Sequence, residues 1–139
     1  MRRDLAQLLA EASPYLHPGP VAVVGLVGFS APPALPPASV IATLREAEGL
    51  TLYAELAAAE TAGLPVAFRA AWITMTVVSA LDAVGFTAAF AGALARAGIA
   101  CNVLAGARHD HLFVPWEQAE AAMAALRGLS EPPLSSTRS

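Results

Sequence analysis

The segment 73–115 constrains the fold more than any other part of the sequence, because its apolar pattern changes from strand to helix and back to strand. Residues 72–79 alternate between two faces, which is typical of a strand with one buried side. The faces are Ile73, Met75 and Val77 on one side, and Trp72, Thr74 and Thr76 on the other. Residues 86–97 then carry an apolar stripe at helical spacing. Two short strands, 99–105 and 109–114, follow, so the segment predicts the order β-α-β-β.

A last helix, beginning near Pro115 and ending at Gly128, extends this order to β-α-β-β-α, which is that of a ferredoxin-like split βαβ unit. Its helices would cover one face of an antiparallel sheet and leave the other face for a partner sheet. The first half of the chain predicts a comparable set of elements. A helix capped by Asp4 is followed by a strand, a hairpin turning at Gly49 and a short helix ending at Gly63.

We therefore predict an α+β fold of the ferredoxin-like type, with helices on one face of an antiparallel sheet and two units in tandem. The N-terminal unit, a degenerate one, spans residues 1–65, and the C-terminal unit spans residues 66–130. The Ser- and Pro-rich residues 131–139 are predicted to be disordered. Ser79 or Asp82 is predicted to cap the long helix of the second unit.

Composition narrows the possible partners of the chain. Charged residues make up 14% of it and hydrophobic residues 56%, so we expect a homodimer that covers apolar surface through sheet or helix faces. The chain has no lysine and a net charge of −3, which argues against nucleic acid. A single cysteine, Cys101, excludes an intramolecular disulfide and suits a reducing compartment. No uninterrupted apolar run approaches the length of a membrane span, so we expect a cytoplasmic protein without a membrane partner.

The loop 81–86 joins a strand to a helix and is the candidate ligand site. Free backbone N–H groups around Val84, Gly85 and Phe86, together with the helix dipole, favour a carboxylate here. Gly85 lets a ligand approach the backbone closely, and Asp82 can accept a hydrogen bond from an α-amino group. A structural alternative explains the same residues equally well: Asp82 caps the helix, and Gly85 allows close helix–sheet packing.

Asn102 is a polar residue among apolar neighbours on a predicted strand. It can hydrogen-bond a ligand or a backbone edge across an interface, but loop backbone can also satisfy it, and we slightly favour the latter. Cys101 shares a face with Ile99 and Val103, so we expect a small buried core residue rather than a nucleophile.

Four segments together resemble an uncharacterised bacterial family of ACT-domain proteins that pair two ACT-like units in one chain. They are IATLREAEGLTL (41–52), LDAVGFTAA (81–89), AGIACNV (97–103) and HDHLFVP (109–115). The resemblance implies a ferredoxin-like fold, often dimeric, with an amino acid or a similar small effector as ligand. It also implies that the loop 81–86 acts with the adjacent strand, so that Asn102 and Val103 complete the site.

His109 and His111 form the only metal-like or acid–base pattern in the sequence. The two side chains share a strand face, so both could bind one metal ion, with Cys101, Asp82 or His17 as a third ligand. Nothing in the spacing requires such a site. We favour instead a position on the open face of the sheet, at a domain or dimer interface.

Three functions are compatible with these patterns, and the first is favoured. It is a regulatory or sensor module that binds a small molecule, with an amino acid as the expected effector. Its predicted ligand-binding residues are Asp82, Val84, Gly85, Phe86, Asn102 and Val103. The second is a structural assembly or protein-interaction module without a small ligand, and the third is a metal-dependent enzyme using His109 and His111. The favoured function requires no catalytic residue, no metal and no cofactor.

Overall fold

The computed structural model describes residues 4–77 and 84–130 of the chain. The strands are β1 (Pro14–Leu16), β2 (Val21–Val27), β3 (Val40–Glu46), β4 (Gly49–Glu55), β5 (Val66–Met75), β6 (Asn102–Ala105) and β7 (Asp110–Pro115). The helices are α1 (Leu5–Glu11), α2 (Leu56–Thr61), α3 (Phe86–Arg96) and α4 (Ala119–Arg127). Within these described residues, no helix is long and apolar enough to cross a membrane.

The strands form one antiparallel sheet in the edge-to-edge order β3-β4-β2-β5-β7-β6. The central strand, β5, belongs to both halves of the chain. Its first part pairs with β2, whereas its second part pairs with β7 on one side and with β1 on the other. The first half therefore reads β3-β4-β2-β5 and the second half β6-β7-β5-β1, and each is the strand order of a ferredoxin-like unit. The N-terminal strand β1 thus completes the sheet of the C-terminal half.

The helices cover one face of this sheet, as the sequence predicted. In the second half, α1, α3 and α4 bury an apolar core against β5 and β7 that includes Leu8, Phe86, Phe90, Leu94, Leu126, Ile73, Met75 and Leu112. In the first half, the shorter α2 places Leu56 and Ala59 over Ala22, Val24 and Leu52. The opposite face has a smaller buried cluster of Val21, Ala70 and Phe113.

The capping and turn predictions for the first half are confirmed. Asp4 and Gln7 form a reciprocal capping box at the start of α1: the Gln7 N–H donates to the Asp4 carboxylate at 2.8 Å, and the Asp4 N–H donates to the Gln7 side chain at 3.1 Å. Gly49 stands at the β3–β4 turn and pairs with Glu46 across it. Gly63 follows the C-cap of α2 with a left-handed φ of 69°.

The predicted bounds of three strands were wrong. β5 begins at Val66 rather than at residue 72 and ends at Met75. A bulge lies near its start, where the pairing with β2 shifts between Val23 and Val24, and this bulge interrupts the alternation that would reveal a strand. β7 begins one residue later than predicted and extends to Pro115.

β6 begins at Asn102 rather than at residue 99, because the preceding residues terminate α3. The N–H of Gly98 donates to the carbonyl of Ala95, and the N–H of Ile99 donates to that of Leu94. These bonds satisfy carbonyls at the end of the helix and leave only a short strand at the sheet edge.

Candidate functional site

The start of α3 holds three of the predicted ligand-binding residues. Gly85 is the N-cap residue, in a left-handed conformation with φ of 92°. Val84 is 87% exposed beside it, whereas Phe86 is 2% exposed and packs edge-on against Phe90 in the core. Phe86 can therefore offer a ligand only its backbone N–H, while Gly85 and Val84 border solvent.

The predicted cap of α3 was wrong in position, because the N-cap residue is Gly85 and not Ser79 or Asp82. Ser79 and Asp82 themselves lie outside the described residues. The role of Asp82 in accepting an α-amino group stays a prediction.

Gly85 also has a packing role, since a Cβ built on it would lie 3.1 Å from Leu5 Cδ2 of α1. Its φ is one that residues with a Cβ rarely adopt. The start of α3 therefore contacts the N-terminal helix, and the tight contact alone explains part of the need for glycine.

Asn102 and Val103 occupy opposite faces of the edge strand β6. Asn102 is exposed and pairs with Phe113, whose side chain lies on the face away from the helices. Val103 pairs with Leu112 and packs against the same helix-side core as Phe86. The fold thus brings Val103 and Phe86 to one core, but it turns Asn102 to the other face.

On the face away from the helices, His17, Thr74, His111 and Trp72 form a polar cluster. His17 Nε2 lies 2.7 Å from Thr74 Oγ1, which lies 2.9 Å from His111 Nδ1. Trp72 Nε1–H donates to the same His111 Nδ1 at 3.1 Å, and the ring of His17 stacks on Trp72 with centroids 3.5 Å apart. The cluster ties the segment after β1 to both β5 and β7.

The cluster defines the protonation state of His111. A tryptophan N–H can only donate, so His111 Nδ1 must be an acceptor and the ring proton must reside on Nε2. The Thr74 hydroxyl then shares this single acceptor with the Trp72 N–H, and its oxygen can accept from His17 when His17 carries a proton on Nε2. Burial, followed by the charge of His109, lowers the pKa of His111 although Asp110 acts in the opposite direction, which is consistent with a neutral ring.

Metal binding by the histidines receives no support from side-chain grouping. Among residues 4–77 and 84–130, no three or more His, Cys, Asp or Glu side chains are grouped so that they could hold an ion. His111 is engaged with Trp72 and Thr74 through Nδ1, while His109 Nδ1 is buried without a hydrogen-bond partner among those residues.

Cys101 is half-buried and packs against the helix-side core. Burial raises the pKa of its thiol, so the sulfur stays protonated and weakly nucleophilic. This agrees with the expected packing role.

The sequence patterns identified His111 and Thr74 separately but did not predict that their side chains are in contact. They are directly opposed in the β5–β7 register, and His17 reaches them because β1 pairs with the end of β5. Alternation alone places Trp72 and Thr74 on one face, but it contains no information on which strand lies next to them.

The fold places the chain in a class of proteins in which two ferredoxin-like units share one sheet. Residues 2–71 match one family model described as an ACT domain, and residues 68–128 match a second model with the same description. The chain therefore belongs to the ACT-domain family, with two such domains in tandem, as the sequence motifs predicted. ACT domains are regulatory modules and typically non-catalytic, so the chain is a module of the regulatory class.

Solved structures of similar fold support this assignment. A Vibrio cholerae protein of unknown function, described as a possible transport protein, is 43% identical, with a TM-score of 0.77 over 91% of this chain and 96% of that one. The regulatory subunit of aspartate kinase from Thermus flavus is 16% identical, with a TM-score of 0.59 over 86% of this chain and 97% of that one. A protein from Agrobacterium tumefaciens is 15% identical, with a TM-score of 0.59 over 86% of this chain and 89% of that one. The last two show the fold alone. No curated protein sequence matches the chain.

Proposed function

We propose that the protein is a regulatory ACT module that binds a small effector, with an amino acid as the ligand class, at the start of α3. One observation carries this proposal: α3 begins at a glycine, which has no side chain to accept from the first-turn N–H groups. First-turn N–H groups that receive no cap from the N-cap residue, and the positive end of the helix dipole, together favour a carboxylate. The exposed Val84 leaves this position open to solvent.

Two further points support a regulatory ligand site. The chain has two ACT domains, and a protein of the same fold is the regulatory subunit of aspartate kinase from Thermus flavus. In our proposal, Asp82 accepts from the α-amino group, and Val103 borders the ligand on the helix side of β6. Asn102, on the opposite face of the exposed edge, contributes from a second copy of the chain in a homodimer.

The contacts of α3 connect the proposed ligand position to α1 and β1. Gly85 lies against Leu5 of α1, and α1 leads directly into β1, which pairs with β5. A ligand that fixes the start of α3 therefore favours one arrangement of α1 and β1 relative to the sheet. The regulatory effect is a shift between two packings of the two ACT domains.

A thermal-shift screen of the protein amino acids tests this function. Binding to the folded state alone adds about 2.7 kcal/mol of stability at a ligand concentration of about one hundred times Kd. For a chain of this size, that corresponds to a rise of several degrees in Tm. If no amino acid raises Tm, the amino-acid function is rejected and the assembly function is favoured.

Val84→Asp separates ligand binding from helix stability. A carboxylate at this position stabilises the helix dipole but repels a ligand carboxylate, so we expect the Tm of the free protein to stay or rise while Kd weakens about two- to fivefold. Val27→Asp is the matched control, because Val27 is 82% exposed on β2. Calorimetric titration with the amino acid found in the screen measures the Kd of both variants. Equal affinity in Val84→Asp and the wild type would place the ligand elsewhere.

A further inference from the structure

The face of the sheet away from the helices encloses a cavity of 510 Å³ between the two edge strands. Ile41 of β3 and Leu104 of β6 both line it, although these strands lie at opposite edges of the sheet. Both side chains also pack against the buried cluster of Val21, Ala70 and Phe113. The sheet therefore curls until its edges face each other, and the cavity lies inside that curl.

The walls of this cavity suit an apolar body. Trp72 and Phe113 line it as a stacked pair, with ring centroids 6.3 Å apart and planes 15° from parallel, and Phe113 itself is 1% exposed. Ile41 and Leu104 add aliphatic surface from the two edges. The volume falls within the range of about 300–1,000 Å³ that small-molecule sites occupy.

His111 supplies a hydrogen-bond donor to this apolar space. Its Nδ1 already accepts from Trp72 Nε1–H, so the proton is on Nε2. Nε2 lies beside Gly106, another lining residue, since a Cβ built on Gly106 would lie 3.3 Å from it. The cluster with Trp72 and Thr74 fixes both the tautomer and the orientation of the ring, which pre-organises this donor.

The charge of the lining selects against anions. Glu55 is a carboxylate at the cavity, none of the lining residues among 4–77 and 84–130 is Lys or Arg, and His111 is neutral. An anionic ligand would therefore meet a like charge without a compensating cation.

We propose that this cavity binds a small apolar molecule that carries a carbonyl oxygen and no net negative charge. The carbonyl oxygen accepts from His111 Nε2–H, and the apolar body lies against Trp72 and Leu104. This site is independent of the proposed effector site, since α3 packs on the opposite face of the sheet.

Benzamide and benzoate are matched probes, because they share a ring and a carbonyl oxygen and differ in charge. Trp72 fluorescence reports on binding in a Trp116→Phe background, since Trp116 packs on the helix side. We expect benzamide to change the emission saturably and benzoate to bind about tenfold more weakly. No saturable response to benzamide, or a preference for benzoate, would overturn the proposal.

Glu55→Gln tests the origin of the charge preference. We expect it to bring the two probes to within about twofold of each other, by strengthening benzoate. Glu48→Gln is the matched control, because Glu48 is exposed at the β3–β4 turn and does not line the cavity. If Glu55→Gln leaves the preference at its wild-type value, the ligand does not occupy this cavity.

Two substitutions from opposite edges test the position of the ligand. Gly106→Ala places a methyl group against His111 Nε2, and Ala42→Phe fills the cavity from β3. We expect each to weaken benzamide at least about tenfold, provided that circular dichroism confirms a folded chain. Retained benzamide affinity in either folded variant would contradict the proposal. Neither result bears on amino-acid binding at α3, so the two sites fail or succeed separately.

Discussion

At the scale of single residues, Gly49 shows how close two backbones come in this sheet. It pairs with Val27 of β2 and with Glu46 of β3. A Cβ built on it would overlap the carbonyl oxygen of Leu26 and lie 2.8 Å from the nitrogen of Gly28. Backbone atoms cannot move away as the end of a flexible side chain can, so the position requires glycine for space as well as for its φ of 151°.

Gly49→Ala should therefore lower the free energy of unfolding by about 2–4 kcal/mol. Two controls separate the clash from the backbone effect. Gly63 has a positive φ of 69° and open space around it, so Gly63→Ala should lower the free energy of unfolding by only about 1–2 kcal/mol. Gly25→Ala has neither feature and should change stability by less than about 0.5 kcal/mol. Urea unfolding measures the free energy of unfolding of all three variants. Equal losses of stability in Gly49→Ala and Gly63→Ala would show that the backbone clash at Gly49 contributes nothing.

At the scale of secondary-structure elements, β1 is the clearest case of a short segment held by side chains. It pairs with β5 over Pro14–Leu16, and the next residue, His17, stacks on Trp72 and bonds to Thr74. Burial, and then the electrostatic effect of His111, lowers the pKa of His17 below 6.5. The attachment of β1 thus includes contacts of two imidazoles whose neutral forms burial favours, His17 and His111.

The stability of the protein should consequently fall as the pH decreases from about 7.5 to about 5.5. Because the folded pKa of His17 and of His111 lies below 6.5, the unfolded chain binds more protons in this window, and each proton favours unfolding. Burial is the largest cause of both shifts, and the two residues that precede His111, His109 and Asp110, act on its pKa in opposite directions.

His17→Phe tests the contribution of one imidazole, because it retains an aromatic ring on Trp72 but cannot titrate. Urea unfolding at both pH values should show a smaller decrease for this variant than for the wild type. An identical decrease in the two proteins would attribute the pH dependence to other groups.

The sequence identifies elements well where local signals define them, and less well where distant strands do. The helical stripe of α3, the capping box at Asp4 and the turn at Gly49 are local, and each was predictable. The first part of β5 was not, because a bulge breaks its alternation and the pairing with β2 determines its start. The candidate site divides in the same way. The apolar stripe of α3 from Phe86 follows from local pattern, although its cap was predicted at the wrong residue, whereas the contact of His17 with Thr74 depends on strand order.

At the scale of the whole molecule, the shared strand joins the two ACT domains. β5 pairs with β2 in its first part and with β1 and β7 in its second part, so neither domain has a complete sheet without it. The two helix-side cores are separate clusters, but both lie on the same continuous sheet. We therefore expect the two domains to unfold together, in one cooperative transition.

Leu52→Ala tests this coupling from the first domain. Leu52 is fully buried beneath α2, so the truncation should cost about 2–5 kcal/mol. Both tryptophans, Trp72 and Trp116, lie in the second domain, whereas circular dichroism reports on the helices and strands of both. Since β5 is common to the two domains, the urea midpoints by fluorescence and by circular dichroism should fall equally.

Leu44→Ala is the control, because Leu44 is 50% exposed on β3 and its truncation should change both midpoints little. A fluorescence midpoint that stays at its wild-type value while that of circular dichroism falls would show that the shared strand does not couple the domains.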